Sequence, residues 1–115
     1  MKVFINNKPA YSDALELKSF FSKLKGLMFS SRVEKPLVFF FTNSARTENA
    51  IHSFFCPRFD AVFISKDFIV VDVFENIAPW NPFISSSRDA KYLVETFPFD
   101  AAKKGFRKGV RVRFE

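Results

Sequence analysis

The chain has 115 residues, of which 48% are hydrophobic and 26% are charged, and its formal net charge is +6. These values are typical of a folded protein and exclude an extended disordered segment, so residues 1–115 are predicted to form a single globular domain. One Cys excludes an internal disulfide, and no apolar run approaches the ~18 residues of a membrane span. We therefore expect a soluble cytoplasmic protein, a monomer or homodimer, for which no cofactor is predicted.

The first predicted elements are a strand, a turn and a helix. Residues 2–5 are a short β-rich run, too short for the core of an export signal, and residues 6–9 contain two Asn and a Pro, which indicates a turn. Asp13 and Glu16 resemble a capping box. The apolar residues that follow recur at the spacing of one helix face: Leu17, Phe20, Phe21, Leu24 and Met28. This pattern predicts a helix from Asp13 to Leu24.

The middle of the chain predicts a buried strand and then a hairpin. Residues 37–41 are continuously apolar, as expected of a buried strand, and residues 42–49 are polar, which indicates a loop. Residues 61–65 and 68–74 are β-rich runs separated by two residues, the usual length of a hairpin connection. Asp72, in the second run, is expected on the solvent face of this hairpin.

A long irregular loop is predicted over residues 76–88. It contains two Pro and three consecutive Ser around the single Trp of the chain. Because a Trp beside prolines is commonly a packing residue, Trp80 is expected to anchor this loop on the sheet.

The last elements complete a mainly β prediction. Residues 90–97 are a strand candidate, Asp100 is expected to cap a short helix ending at Gly105, and residues 110–115 alternate apolar and charged side chains as a half-buried strand does. The predicted class is mainly β (α+β). The predicted architecture is a compact β-sandwich or barrel-like domain, with one N-terminal helix packed on it and a short C-terminal helix.

The only His and the only Cys lie four residues apart, in a segment with four Phe. In an extended chain that spacing corresponds to ~13 Å, too far for one metal ion, and Pro57 argues against a helix that would bring them together. No metal site is therefore predicted. We interpret Cys56 as a small core residue. His52 is either a hydrogen-bonded, partly buried side chain or a group that binds ligand or transfers protons.

The sequence contains few features that indicate a catalytic site. The sequence has no Gly-x-Ser-x-Gly elbow, and its three isolated Gly cannot form a phosphate-binding loop. An acid within an apolar run lies either on a solvent face or in a shielded site with a perturbed pKa. An enzyme that uses His52 with Asp60 or Glu95 as acid and base is therefore our third-ranked hypothesis.

The positive charge is concentrated at the C-terminal end. Residues 101–115 hold six of the 18 basic residues and one acid. The six are Lys103, Lys104, Arg107, Lys108, Arg111 and Arg113. Such a patch can neutralise phosphates, which makes nucleic-acid binding the second-ranked hypothesis; alternatively, the basic residues form the wet face of a strand and protect a sheet edge from aggregation.

Several short motifs occur together in a fixed order. They are Lys25-Gly26-Leu27-Met28-Phe29, Ile51-His52-x-Phe54-Phe55, Asp60-Ala61-Val62-Phe63-Ile64, Pro79-Trp80 and Ala90-Lys91-Tyr92-Leu93-Val94-Glu95. In this combination the chain resembles the uncharacterised domain of unknown function 192 family from about Lys25 to its end. The resemblance implies a compact β-rich fold and no established activity, substrate or cofactor.

The resemblance also implies where a shared site would lie. The family pattern has residues matching His52, Phe54, Phe55, Asp60 and Glu95. The chain departs from it at Cys56, Ser30 and Gly109-Val110, where the family commonly has Met, Arg and Gly-Asp.

The first-ranked hypothesis is a non-catalytic binding domain for a small molecule or a protein. An aromatic-rich β fold offers an apolar pocket, and the lack of a catalytic set favours binding alone. The candidate ligand-binding residues are His52, Phe55, Asp60, Trp80 and Glu95.

Overall fold

The computed structural model describes residues 1–17, 26–42 and 49–115, and within them the chain forms eight strands and one short helix. The strands are β1 (Val3–Ile5), β2 (Lys8–Tyr11), β3 (Leu15–Leu17), β4 (Leu37–Phe40), β5 (Phe59–Ile64), β6 (Val70–Ile77), β7 (Tyr92–Thr96) and β8 (Val112–Phe114). The helix, α1 (Asp100–Lys104), lies between β7 and β8. No helix in this part of the chain is long and apolar enough to cross a membrane.

The strands form two sheets. The smaller sheet has the order β2-β1-β8 and is antiparallel throughout. The larger has the order β3-β4-β7-β5-β6, in which only the β3–β4 pair is parallel. The backbone N–H of Val70 donates to the Val110 carbonyl (2.9 Å), and this bond joins the start of β6 to the segment that leads into β8.

The larger sheet is buried on both faces. One face packs against the smaller sheet, and the apolar cluster between the two sheets is called the inter-sheet core. It includes Val3, Ile5, Val38, Val62, Ile64, Val94 and Val112. The other face packs against segments outside the sheets, and that cluster is called the loop-side core. It includes Leu27, Val33, Phe39, Cys56, Phe63, Ile84 and Leu93.

This double burial explains the continuous apolar runs in the sequence. A strand with one wet face alternates apolar and polar residues, whereas a strand covered on both faces is apolar throughout. All six residues of β5 are buried, as are the first three of β4. The predictions of the 37–41 strand, the 61–74 hairpin, the 90–97 strand and the C-terminal helix and strand are confirmed, with boundaries shifted by a few residues.

The predicted N-terminal helix is wrong where the structure describes it. Leu15–Leu17 is a strand that pairs in parallel with β4, and residues 18–24 lie outside the described part of the chain. A capping box requires free N–H groups at a helix start. Here the N–H groups of Ala14 and Leu15 donate to the carbonyls of Met1 (3.0 Å) and Pro36 (2.8 Å), so the chain is extended.

Three further expectations are corrected. The barrel alternative is wrong, because the strands of the described residues form two separate sheets and no closed barrel. The turn predicted over residues 6–9 contains only Asn6 and Asn7, both with positive φ, because the chain is already extended as β2 from Lys8. Asp100 is the first residue of α1 rather than its cap, since Phe99 holds that position. Of the 42–49 loop, residues 43–48 lie outside the described part of the chain.

Candidate functional site

Asp60 is a buried residue of β5 whose carboxylate accepts hydrogen bonds from three backbone N–H groups. Its Oδ1 accepts the N–H of Asn76 (2.7 Å) and of Phe99 (2.9 Å), and its Oδ2 accepts the N–H of Ala101 (2.9 Å). The first of these groups lies on β6, and the other two lie at the start of α1. One carboxylate therefore joins a sheet to a helix that lies about forty residues further along the chain.

The start of α1 depends on this bond set. The residue before the helix, Phe99, has the left-handed conformation (φ 64°) and gives no side-chain cap. The first N–H groups of a helix have no partner within the helix, and an oxygen from elsewhere can satisfy them. Asp60 supplies that oxygen from β5.

A second polar chain runs on the same side of the sheet. The hydroxyl of Thr96 donates to the hydroxyl oxygen of Tyr11 (2.7 Å), which donates in turn to Oδ2 of Asp100 (2.7 Å). Burial, and then the bond to the Asp100 carboxylate, raise the pKa of Tyr11 above its ordinary range. The Asp100 side chain thus joins β2 to α1 instead of capping the helix.

Glu95 lies on the opposite face of the larger sheet from Asp60. It is in register with Ala61, a member of the loop-side core, while Asp60 is in register with Thr96. Because successive side chains of a strand point to opposite faces, the two candidate acids do not share a pocket. Burial raises the pKa of Glu95 to about 8, since a desolvated carboxyl favours the neutral form.

Cys56 belongs to the loop-side core, as the sequence predicts. Its thiol donates to the carbonyl of Phe54 (3.4 Å). Burial, and then the charge of Glu95, raise the pKa of the Cys56 thiol to about 11. A thiol with a raised pKa is protonated at neutral pH and is then a weak nucleophile.

Three predicted residues, His52, Phe55 and Trp80, do come together in one surface. The Phe55 ring lies edge-on to Trp80 (4.7 Å between centroids) and stacks on Phe29 (5.1 Å). Phe54 lies between His52 (5.1 Å) and Trp80 (6.0 Å). We call the five rings the aromatic cluster: Phe29, His52, Phe54, Phe55 and Trp80.

Ser53 holds the segments of the aromatic cluster together. Its buried hydroxyl donates to the carbonyl of Ala78 (2.6 Å) and accepts the N–H of Asn81 (2.8 Å). Its backbone carbonyl accepts the N–H of Trp80 (3.1 Å). A separate bond, from the N–H of Phe29 to the carbonyl of Phe55 (2.8 Å), attaches the third segment.

Three rings of the cluster stand on left-handed backbone. The φ angles are 65° at Phe29, 60° at Phe55 and 68° at Trp80. This conformation costs a bulky L-residue roughly 1–2 kcal/mol and persists only where surrounding contacts impose it. The sequence contains no Gly at these positions that would indicate this conformation.

His52 has a local hydrogen bond. Its Nδ1 accepts the N–H of Phe54 (3.1 Å), and the ring is only partly buried. Within residues 1–17, 26–42 and 49–115, no three His, Cys, Asp or Glu side chains are grouped to hold a metal ion. The acid–base hypothesis needs His52 to meet Asp60 or Glu95, but the Asp60 oxygens already accept three backbone bonds and His52 belongs to the aromatic cluster.

The C-terminal basic residues, Lys103, Lys104, Arg107, Lys108, Arg111 and Arg113, are all exposed. Several are engaged with the chain itself. Lys108 pairs with Asp72 (3.2 Å), and Arg113 pairs with Glu115. Lys104 lies over the Tyr11 ring (5.5 Å from the centroid). The positive charge is therefore partly compensated by neighbouring groups.

Asp72 is buried, and its expected position on the solvent face is wrong. Its carboxylate accepts the N–H of Ser87 and pairs with Lys108, so the charge is satisfied within the fold. Burial acts to raise the pKa of Asp72, but the bonds from Ser87 and Lys108 outweigh it and lower this pKa below its ordinary value.

Besides Phe99 at the start of α1, two exposed aromatic residues were not among the predicted site residues. Phe29 lies in the aromatic cluster, and Phe83 lies in the loop after Trp80. Phe29 is 73% exposed and Phe83 is 65% exposed. Phe83 follows a Pro, but Phe97 precedes one and is partly buried, so the sequence carries no clear signal for the exposure of Phe29 and Phe83.

Comparison with known proteins shows that the chain matches a protein family. The model of the family DUF192, described as "Uncharacterized ACR", matches residues 5–114. A UPF0127 protein from Thermococcus sibiricus is 33% identical over 79 residues, which is 68% of this chain and 50% of the relative. The match thus spans about half the length of that relative.

Solved structures show the same fold. A protein of unknown function from Novosphingobium aromaticivorans has a TM-score of 0.82 at 17% identity, over 98% of this chain and 84% of the other. A Sinorhizobium meliloti protein described as a "putative transcription regulator" has a TM-score of 0.83 at 17% identity, over 97% and 91% of the two chains. At this identity the likeness concerns the fold alone.

Proposed function

The chain belongs to the DUF192 family, and we propose that it acts as a non-catalytic binding domain whose recognition surface is the aromatic cluster. The bound species is a small molecule or a protein. The observation that carries the proposal is the exposure of three adjacent rings: 73% of Phe29, 50% of Phe55 and 59% of Trp80. Single exposed apolar side chains are ordinary, but a contiguous apolar patch on a folded protein commonly marks a binding site.

The composition of the cluster supports recognition. Trp and other aromatic residues dominate the energy of binding surfaces, because they bury a large area and lose little rotamer freedom. His52 adds a ring nitrogen at one side of the cluster. Its Nδ1 accepts the Phe54 N–H, so its Nε2 faces away from that bond and is available as a donor to a polar group of the ligand.

The hydrogen bonds of Ser53 support preorganisation. They join the segments that carry Phe55 and Trp80, so the rings are held in place before a ligand arrives. A surface that is already ordered loses less conformational entropy on binding. Left-handed backbone at Phe29, Phe55 and Trp80 is consistent with this role, because strain of this kind is concentrated at functional sites.

Of the five residues first considered, this proposal uses His52, Phe55 and Trp80. Asp60 and Glu95 are assigned to the fold, since the first binds three backbone N–H groups and the second is buried in the loop-side core.

Native mass spectrometry of the protein isolated from its own host tests the proposal. We expect a retained mass that is lost in Phe55→Ala and Trp80→Ala. Phe99→Ala is the matched control, because Phe99 is also left-handed and 52% exposed but lies at the start of α1. Equal retention in all four proteins, or no retained species in the wild type, contradicts the proposal.

Nucleic-acid binding through the C-terminal basic residues is the second candidate. The concentration of six basic residues within residues 101–115 favours it, although Lys108 and Arg113 already pair with acids of the chain. Retention on heparin that falls steeply between low and moderate salt, and that is reduced in a Lys103→Ala/Arg107→Ala double variant, supports this candidate. Absence of retention at low salt rules it out.

A further inference from the structure

An open groove of about 840 Å³ lies beside β6, on the loop-side face of the larger sheet. Residues of β6 form one side, and the loop of residues 81–87 forms the other. The volume falls within the roughly 300–1,000 Å³ of small-molecule sites. The groove is lined by none of the five aromatic-cluster residues, so it is a separate candidate site.

The apolar part of the groove ends in an exposed ring. Phe74 and Ile77 of β6 line its inner side together with Ile84. Phe83 also lines it, and 65% of this side chain is exposed. A flat ligand can therefore lie against the Phe83 ring without displacing a residue of the loop-side core.

The polar part of the groove offers both acceptors and donors. Glu75 is exposed and presents a carboxylate. The Asn81 side-chain oxygen accepts the N–H of Phe83 (3.2 Å), which leaves the two amide hydrogens of Asn81 as donors. Ser86 and Ser87 also line the groove, but their hydroxyls already bond the Arg88 carbonyl and the Asp72 carboxylate.

The charges of the groove select against anionic ligands and attract cations only weakly. Among the described residues, the lining contains two carboxylates, Asp72 and Glu75, and no Lys or Arg. A phosphate would face two negative groups without a cation, apart from Lys108, which is already paired with Asp72 (3.2 Å). A cation would find one uncompensated carboxylate, Glu75, in an exposed position where its attraction is weak.

From these contacts we infer that the groove binds a neutral saccharide. A pyranose ring has an apolar C–H face and a rim of hydroxyls that both donate and accept. The C–H face matches the Phe83 ring, and the rim matches the Glu75 carboxylate and the Asn81 amide.

Two-dimensional ¹H–¹⁵N NMR of the full chain, titrated with cellobiose, maltose and chitobiose, tests this inference. We expect at least one disaccharide to shift the amide signals of residues 74–75, 81 and 83–87. Phe83→Ala should weaken that binding about tenfold, because the stacking partner is lost. Glu75→Ala should weaken it by a similar factor, because a hydrogen bond to a charged group is lost.

Controls separate this site from the aromatic cluster. Phe99→Ala and Phe55→Ala should both bind the disaccharide as the wild type does, so failure of either proposal can be recognised without the other. Glucose 6-phosphate and arginine amide serve as anionic and cationic probes. Absence of a shift with all three disaccharides, unchanged binding in Phe83→Ala, or tighter binding of either charged probe overturns the inference.

Discussion

The segment from Ala50 to Ser65 contains two regions with opposite relations to solvent. In the first, Phe54 and Phe55 lie on loop backbone and contribute to an exposed aromatic surface. In the second, β5 is buried on both faces and its one acid, Asp60, accepts three backbone N–H bonds. Both regions contain family-like motifs, yet only the first exposes an aromatic side chain, Phe55, to solvent.

The difference shows that an unusual residue within an apolar run has two distinct explanations. A buried carboxylate with full hydrogen bonding stabilises the fold, because its removal leaves several polar groups unpaired. An exposed ring on strained backbone contributes little to the stability of the fold and is available for recognition. Substitutions in the two regions should therefore separate stability from binding.

Asp60→Ala should have the largest effect on stability. The substitution leaves the N–H groups of Asn76, Phe99 and Ala101 without their acceptor in a buried setting, and we expect a loss of more than ~3 kcal/mol in the free energy of unfolding. Urea denaturation measures it. Asp67→Ala, an exposed acid in the β5–β6 turn, is the control and should change stability by less than about 0.5 kcal/mol. Similar losses in the free energy of unfolding of both variants would show that the Asp60 hydrogen bonds do not stabilise the fold.

Glu95→Gln should change how stability depends on pH. In the unfolded chain Glu95 ionises near pH 4.5, whereas in the folded chain its pKa is about 8. The contribution of Glu95 to the free energy of unfolding of the wild type therefore falls as the pH rises from 4.5 to 8. The fall is at most ~1.4 kcal/mol per pH unit.

The Gln side chain does not ionise. Relative to the wild type, Glu95→Gln should gain ~3 kcal/mol of stability between pH 5 and pH 8 in urea denaturation. Parallel stability curves for the two proteins over this range would contradict a buried neutral carboxyl at Glu95.

Ser53→Ala should have a smaller effect on stability and a visible effect on the cluster. The loss of one buried hydroxyl removes its bonds to Ala78 and Asn81, and we expect a destabilisation of ~1–3 kcal/mol. Because the single Trp of the chain lies in the cluster, a changed Trp80 emission spectrum reports loosening of the surface. An unchanged spectrum in a folded variant would argue against Ser53 as the residue that positions the rings.

Phe55→Ala should have the smallest effect on stability. Half of the side chain is exposed, so we expect a change of less than ~1 kcal/mol in the free energy of unfolding, similar to that of Phe99→Ala. Thermal unfolding of the two variants measures this. A loss at Phe55 as large as the loss at Asp60 would mean that the cluster is part of the core.

Local patterns predicted the larger sheet well. β4 is continuously apolar, and β5 is apolar apart from Asp60, because both strands are covered on both faces; such runs are visible in the sequence. The pattern around Asp13 and Glu16 was misleading, because the N–H groups of Ala14 and Leu15 are bound by Met1 and Pro36. Local secondary-structure propensity does not indicate hydrogen-bond partners that come from distant segments of the chain.

The candidate site was predictable only in part. His52, Phe55 and Trp80 were found through their residue types and the family resemblance. The role of Asp60 was not visible, because its partners Asn76 and Ala101 lie 16 and 41 residues away. The exposure of Trp80, expected instead to anchor its loop on the sheet, depends on a left-handed conformation that no Gly signals.

Quenching of Trp80 fluorescence by acrylamide tests the central claim most directly. Trp80 is the only Trp of the chain, and it lies in the aromatic cluster with 59% of its side chain exposed. The protein isolated from its own host is compared before and after its retained species is removed. Protection of Trp80 in the first sample and stronger quenching in the second are the predicted result. Equal quenching in both samples would contradict recognition through the aromatic cluster.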